Sequence, residues 1–148
     1  MTYNEAVEYE ASFRTNTEDI NHCLMLGSAY DSLCQWIIQS GTKTKNEILD
    51  DSTDLGNYAN NEKYHSKVEA VELLPAGLNE DWCINNIYDL AGNVVEFTQE
   101  QHSTDRIVLR SGNYRVVGRY YPIADRYFRE PPTRKVNLAS FRSMLFHK

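Results

Sequence analysis

The chain has 148 residues, 41% of them hydrophobic, enough for one domain (residues 1 to 148) built on one sizeable core and too few for a multidomain array. A net charge of −6 with a mean hydropathy of −0.58 excludes a helical membrane protein, and no apolar run is long enough to span a bilayer. No charged-then-apolar signal peptide is present, so a soluble chain is expected, with association to a virion or a cell surface left open.

Three cysteines, Cys23, Cys34 and Cys83, are an odd number at no metal-like spacing. They read as buried apolar residues of a reduced protein. Thr2 with Glu5 forms a capping-box pattern, which predicts a helix over Tyr3 to Phe13 with Ala6, Tyr9 and Phe13 on its buried side. Arg14 to Asn21 is polar and loop-like. Ser28 with Asp31 reads as a second capping box, and Tyr30, Leu33, Cys34 and Ile37 recur at helical spacing until Gly41 stops the main helix. Trp36 on so apolar a helix reads as core; stacking on a ligand is the alternative.

Thr44 with Glu47 predicts a short third helix to Leu49, followed by a solvated loop over Asp50 to Asn61. Its acidic cluster of Asp50, Asp51 and Asp54 lacks the ligand order and closing Glu of an EF-hand. Lys63 to Leu74 has Val68, Val71 and Leu73 near alternation and reads as a strand or extended chain, ended by Pro75-Ala76-Gly77.

The centre of the chain is Asn85 to Thr98, NNIYDLAGNVVEFT, which fits neither a clean helix nor a clean strand. Its Gly92-Asn93 pair requires a turn, with Tyr88 and Phe97 packing inward and the polar groups folded back on their own backbone. The spacing also permits a hard-cation site, with Asp89 and Glu96 as carboxylate ligands and Gly92 and Val94 as carbonyl ligands, an all-oxygen set that suits calcium. In the other reading Asp89 accepts backbone N–H bonds and Glu96 meets solvent or an arginine.

Charge is distributed unevenly. Residues 1 to 100 carry 18 acidic and 5 basic side chains, whereas 101 to 148 carry 3 acidic and 10 basic. Within Asn113 to Val136, arginines alternate with aromatics, and these two residue types dominate binding hot spots because each offers large area and directional hydrogen bonds. Pro122, Pro131 and Pro132 stiffen the stretch. Some of these rings and arginines must be structural. Arg110 and Arg142 are expected to be so, while Arg115, Arg119, Tyr120, Tyr127, Phe128, Arg129 and Arg134 are the candidate binding surface.

NNIYDLAGNVVEFT resembles the "GLYDMAGNVWEWT" signature of the formylglycine-generating-enzyme-like (sulfatase-modifying factor) domain, a variant of the C-type lectin fold. Val108 to Tyr114 (VLRSGNY) is similar to that family's "VLRGGSW", Tyr121-Pro122 and Arg126 fall near its "RxxxR" stretch, and Ser140 to Arg142 (SFR) stands where the family has GFR. Gly27 to Trp36 (GSAYDSLCQW) takes the place of its "EAEWEYAAR". The resemblance implies an α+β domain: helices packed on a small, mostly antiparallel sheet with long loops. It also implies a structural calcium at Asp89, Gly92, Val94 and Glu96, with Val95 and Phe97 replacing two tryptophans. Family domains begin with strands before the first helix, so this chain is expected to be N-terminally shortened and, with an edge left open, to form an oligomer or join a larger assembly.

The chemistry of the true enzymes is not expected here. Their copper-binding cysteine pair follows the glycine-rich strand, where this chain has Tyr114 to Arg119, and no cysteine follows Cys83, so no copper is expected. His22, His65, His102 and His147 are scattered and do not form the His cluster of the iron-dependent relatives. No nucleophile-base motif is visible. What remains is a non-catalytic module that binds a protein or glycan through residues 113 to 137, since function generally sits on loops carried by a stable scaffold. Domains that it resembles serve as variable proteins of diversity-generating retroelements and as phage or bacterial adhesins. The alternatives are a nucleic-acid-binding protein using the same Arg/aromatic stretch, disfavoured by a pI of 5.2 and nearly absent lysine, and a degenerate enzyme homologue with a structural role in an assembly.

Overall fold

The computed structural model describes residues 1 to 13, 20 to 66, 72 to 126 and 128 to 147. Helix α1 (Tyr3–Ser12) is set by the expected capping box: Thr2 Oγ1 accepts from the Glu5 N–H at 3.1 Å and Glu5 Oε2 accepts from the Thr2 N–H at 2.7 Å. Its inner face differs from the expected one. Ala6 and Glu10 are buried, whereas Tyr9 and Phe13 are more than half exposed, because Glu10 turns inward to bond His22 Nδ1 at 2.7 Å. That histidine lies on β1 (Ile20–Leu24), which follows a segment outside the described residues.

The main helix α2 (Gly27–Gln39) starts at Leu26 without a side-chain cap. Ser28 and Asp31 are therefore not a capping box; Asp31 is committed to two distant arginines, and Ser28 offers its carbonyl to the Ser32 hydroxyl. Tyr30, Cys34 and Ile37 face the core as the spacing predicts, and each of the two larger side chains contributes about 2 kcal/mol by leaving water. Trp36 points the other way and is 50% exposed, so the core reading of this residue is overturned. Gly41, at φ 74°, ends the segment. Thr44 and Glu47 cap α3 (Lys45–Leu49) as expected. Residues expected to begin a strand instead form α4 (Glu62–His65), capped by the Asn61 side chain; Val68 and Val71 of that expected strand lie outside the described residues, and Leu73 is loop.

Two sheets complete the fold. One has the order β4 (Arg129–Glu130), β3 (Arg106–Arg110), β2 (Val95–Ser103), β5 (Ala139–Phe141); β2, β3 and β4 are antiparallel and β5 runs parallel to β2. The other pairs β1 with β6 (Ser143–His147), antiparallel. The first half of β2, Val95 to Thr98, is buried on both faces. Val95 and Phe97 join Ala6, Leu24, Ile107 and Leu109 under α1, while Glu96 and Thr98 face the opposite side. A second core lies under α2, built from Tyr30, Cys34, Ile37, Ile48, Tyr58, Ile84, Leu90 and Ile123. The architecture is α+β, and no helix among the described residues is long and apolar enough to cross a membrane. All three cysteines are free; Cys34 is buried, and Cys23 and Cys83 are half-buried.

Candidate functional site

The central stretch is a hub of turns. Asn85 and Asn86, both at positive φ, close a two-residue reversal in which Ile84 and Ile87 exchange backbone bonds of 2.9 Å. Asp89, Gly92 and Asn93 also lie in the left-handed region, which Asn, Asp and Gly tolerate best. Gly92 is obligatory, since a Cβ there would stand 2.4 Å from the Asn57 carbonyl oxygen. The polar groups reach other segments rather than folding back on their own backbone. Asn93 bonds the Leu74 N–H and C=O and the Asn57 amide, and its own C=O accepts from the Tyr114 N–H. Phe97 is fully buried as expected; Tyr88 is half-exposed, its hydroxyl donating to Glu80 at 2.7 Å and its pKa pushed up to about 12 by that carboxylate.

Asp89 and Glu96 are engaged separately. Asp89 Oδ2 accepts from the Gly77 N–H at 2.6 Å. Both Glu96 oxygens take the Arg142 guanidinium, at 2.6 and 3.1 Å, and Arg142 also donates to the Tyr88 and Asp89 carbonyls. A guanidinium thus stands where a cation would meet Glu96, and this donor arrangement does not fit calcium at Asp89, Gly92, Val94 and Glu96 without displacing Arg142. Among the described residues no group of three or more His, Cys, Asp or Glu side chains is placed to hold a metal ion.

Arg110 is the second clamp. Fully buried, it bonds Glu100 at 2.6 and 3.0 Å, Asp31 at 2.9 Å and the Ala124 carbonyl at 3.2 Å, with its guanidinium 5.0 Å from the Tyr30 ring centroid. Arg126 shares the same two carboxylates, meeting Glu100 at 2.7 Å and Asp31 as well. Helix α2, strand β2 and the loop before Phe128 are therefore joined by one four-membered ionic network.

The loop from Asn113 to Ile123 rides on this base with its backbone pinned. Ala59 N–H donates to the Val116 carbonyl at 3.0 Å, Gly118 N–H to Asn60 Oδ1 at 3.1 Å, Ile123 N–H to the Ser52 hydroxyl at 3.0 Å, and the Tyr58 hydroxyl to the Tyr121 carbonyl at 2.8 Å. At Gly118 a Cβ would lie 2.5 Å from the Thr53 backbone, which fixes the loop against that turn. Between the pins Arg115, Arg119 and Tyr120 are exposed, whereas Val116 packs back on the core. Arg115 lies 5.1 Å from the centroid of the Tyr114 ring and donates to its hydroxyl at 3.0 Å; Arg119 repeats the arrangement with Tyr120 at 5.0 and 3.0 Å. The Tyr120 hydroxyl raises the pKa of Arg119 further, and Tyr120 is 63% exposed. Among the described residues neither arginine has a carboxylate within ion-pair distance.

The other expected surface residues divide. Phe128 stacks on Tyr121 at 5.1 Å and packs half-buried against the core under α1, so it supports the sheet rather than a surface. Arg129 is exposed on β4. Arg134 reaches Glu130 at 3.0 Å, an ion pair in which that oxygen lies outside hydrogen-bonding geometry. Tyr127 lies outside the described residues. Tyr114 belongs to the displayed set although it was not among the candidates; its place directly before Arg115 was the readable signal.

The chain is similar in fold to Treponema denticola variable protein 1. The match covers 82% of this chain and 46% of that one, at 18% identity and a TM-score of 0.52, and it shows the fold alone. The architecture is consistent with the C-type lectin-like fold, and the chain spans less than half the length of that variable protein. No family model matches the chain, and no curated protein is significantly similar to it.

Proposed function

We propose that the chain is a non-catalytic binding module that presents Tyr114, Arg115, Arg119 and Tyr120 to a carboxylate-bearing protein or glycan. The observation that carries this reading is the pair of exposed guanidiniums, each over a tyrosine ring and, among the described residues, neither within ion-pair distance of a carboxylate, on a loop whose backbone is bonded to residues 52 to 60. Each guanidinium gives one N–H to its tyrosine hydroxyl and keeps the others for an anion, and the contact with the ring lowers the entropy lost on binding. Backbone pinned, side chains free: that division permits residue changes at the surface without refolding the loop.

The likeness to a variable protein supports reading residues 113 to 137 as a diversified surface, in the manner of a retroelement variable protein or an adhesin. The ordered motifs around Asp89, Arg110 and Arg142 support placing it in the formylglycine-generating-enzyme-like branch of the fold, with the chemistry absent. Sequencing the gene in many individuals of its source population tests the proposal. Substitutions concentrated between Asn113 and Asn137, sparing Arg110, Gly112 and Arg142, are expected; a constant stretch would mean a single dedicated partner or a structural role. Binding to an oligonucleotide with a salt slope of several released counterions would favour nucleic acid instead, since two exposed carboxylate contacts lose less to salt.

A further inference from the structure

We infer that two copies of this chain associate through the outer edge of β6, about a twofold axis at Leu145. The inference is independent of the ligand-binding reading. Strand β6 pairs with β1 on one side only, in the register Leu24↔Ser143 through Ile20↔His147. The Met25 N–H donates to the Arg142 carbonyl at 2.9 Å, which continues the same ladder. In an antiparallel ladder, residues alternate between exchanging both backbone bonds with the partner strand and turning both groups away. Arg142, Met144 and Phe146 therefore spend their backbone groups on β1, and Ser143, Leu145 and His147 turn theirs outward. None of those three makes a backbone bond to another segment among the described residues.

An open edge is ordinarily guarded by lysine, proline or a bulge. Ser143 to His147 has no lysine, no proline and no bulge, and Leu145 and Phe146 are 64% and 43% exposed. A second copy fits this edge in one register. With Leu145 opposite Leu145 and Ser143 opposite the partner's His147, every outward N–H and C=O of both strands falls in a hydrogen-bonded position, and the contact is isologous. The residue that meets its own image across the axis is Leu145, an apolar side chain.

The side chains agree with that register. Residues directly opposite share a sheet face, so the partner's Phe146 lies beside Met144. Met144 lines an apolar groove of about 720 Å³ together with Met25, Leu33, Trp36 and Ile87. Short strand pairing is small beside the roughly 1,600 Å² of a standard interface, so the association is reversible and concentration-dependent.

Sedimentation velocity on the full chain from micromolar to millimolar protein tests this. A monomer–dimer equilibrium is expected in the wild type. Leu145→Lys places two cations opposite each other at the axis and weakens association at least about tenfold. Leu145→Pro removes an outward N–H while sparing every bond to β1, as proline is accepted on an edge, and has the same effect with the fold kept. Amide exchange supplies a readout that needs no variant: Ser143, Leu145 and His147 slow as protein concentration rises, while Met144 and Phe146 stay slow throughout. A wild type monomeric at millimolar concentration, a dimer indifferent to both substitutions, or outward amides insensitive to concentration would each overturn the inference.

Discussion

Arg110 and Arg119 flank the same loop and do opposite things. Arg110, with no exposed surface, gives its donors to Glu100, Asp31 and Ala124 and closes α2 onto β2. Arg119 gives one donor to the neighbouring tyrosine and is exposed. Arg142 resembles the first and Arg115 the second. The difference lies in where the carboxylates are. Among the described residues, the acidic N-terminal portion sends Asp31, Glu96 and Glu100 into ion pairs with the arginines that hold the sheet, and no such pair reaches Arg115 or Arg119. Buried guanidiniums specify the frame, and exposed ones are left with their charge available.

The largest expected effect falls on the frame. Arg110→Met leaves Asp31 and Glu100 facing Arg126 alone; with Glu100 largely covered and Asp31 nearly half exposed, the loss is about 3 kcal/mol, or roughly 10 °C in Tm by calorimetry. A fall under 2 °C, by the same scale, would erase the distinction between the two sets. Arg142→Gln strands the nearly buried Glu96 carboxylate and takes a donor from two carbonyls, a loss of about 2 kcal/mol. The same variant sharpens the calcium question. Because Arg142 already supplies the cation to Glu96, a chelator is expected to leave the wild-type Tm unchanged, and a clear drop would show that an ion is bound at this turn.

Cys34 reports on the frame without a ligand. Burial pushes its thiol up to about 11, and burial raises Tyr30 and Tyr58 in the same direction. These groups favour the protonated form more when folded than when unfolded. The stability they contribute is thus complete below the ordinary thiol range and is lost as pH climbs through about 11. Thermal melts are expected to be flat in this respect to about pH 9 and to fall beyond it. A thiol reagent at neutral pH should modify Cys34 last, in wild type and in Arg115→Ala alike, and faster in Arg110→Met. Equal rates for all three cysteines in the wild type would count against the buried placement of α2.

Local signals were legible and long-range ones were not. The Thr2/Glu5 and Thr44/Glu47 capping boxes read correctly because every partner lies within one helical turn. Ser28/Asp31 has the same spacing and reads wrongly, since Asp31 is claimed by Arg110 and Arg126 from far along the chain. The inner face of α1 was misassigned for a similar reason: His22, not the period of the helix, draws Glu10 inward. Arg110 and Arg142 as frame residues followed from their place inside the ordered motifs. Which candidates of the 113 to 137 stretch project outward depended on the bonds from residues 52 to 60, which no pattern within the stretch encodes. Phe128 accordingly belongs to the sheet, and Tyr114 to the surface.

The smallest effect on stability is expected where the functional effect is greatest. Arg115→Ala and Arg119→Ala each remove an exposed cation–tyrosine pair with little effect on stability, because no buried group is left without a partner. The double variant should keep its Tm within about 4 °C and lose at least tenfold in affinity for an acidic protein or glycan selected on the wild type, since two charge-assisted contacts go together. Arg134→Ala is the control: its charge is already met by Glu130, so it should change affinity far less. A double variant that unfolds as readily as Arg110→Met would put Arg115 and Arg119 in the frame. One that keeps both its fold and its affinity would move the binding surface away from this loop.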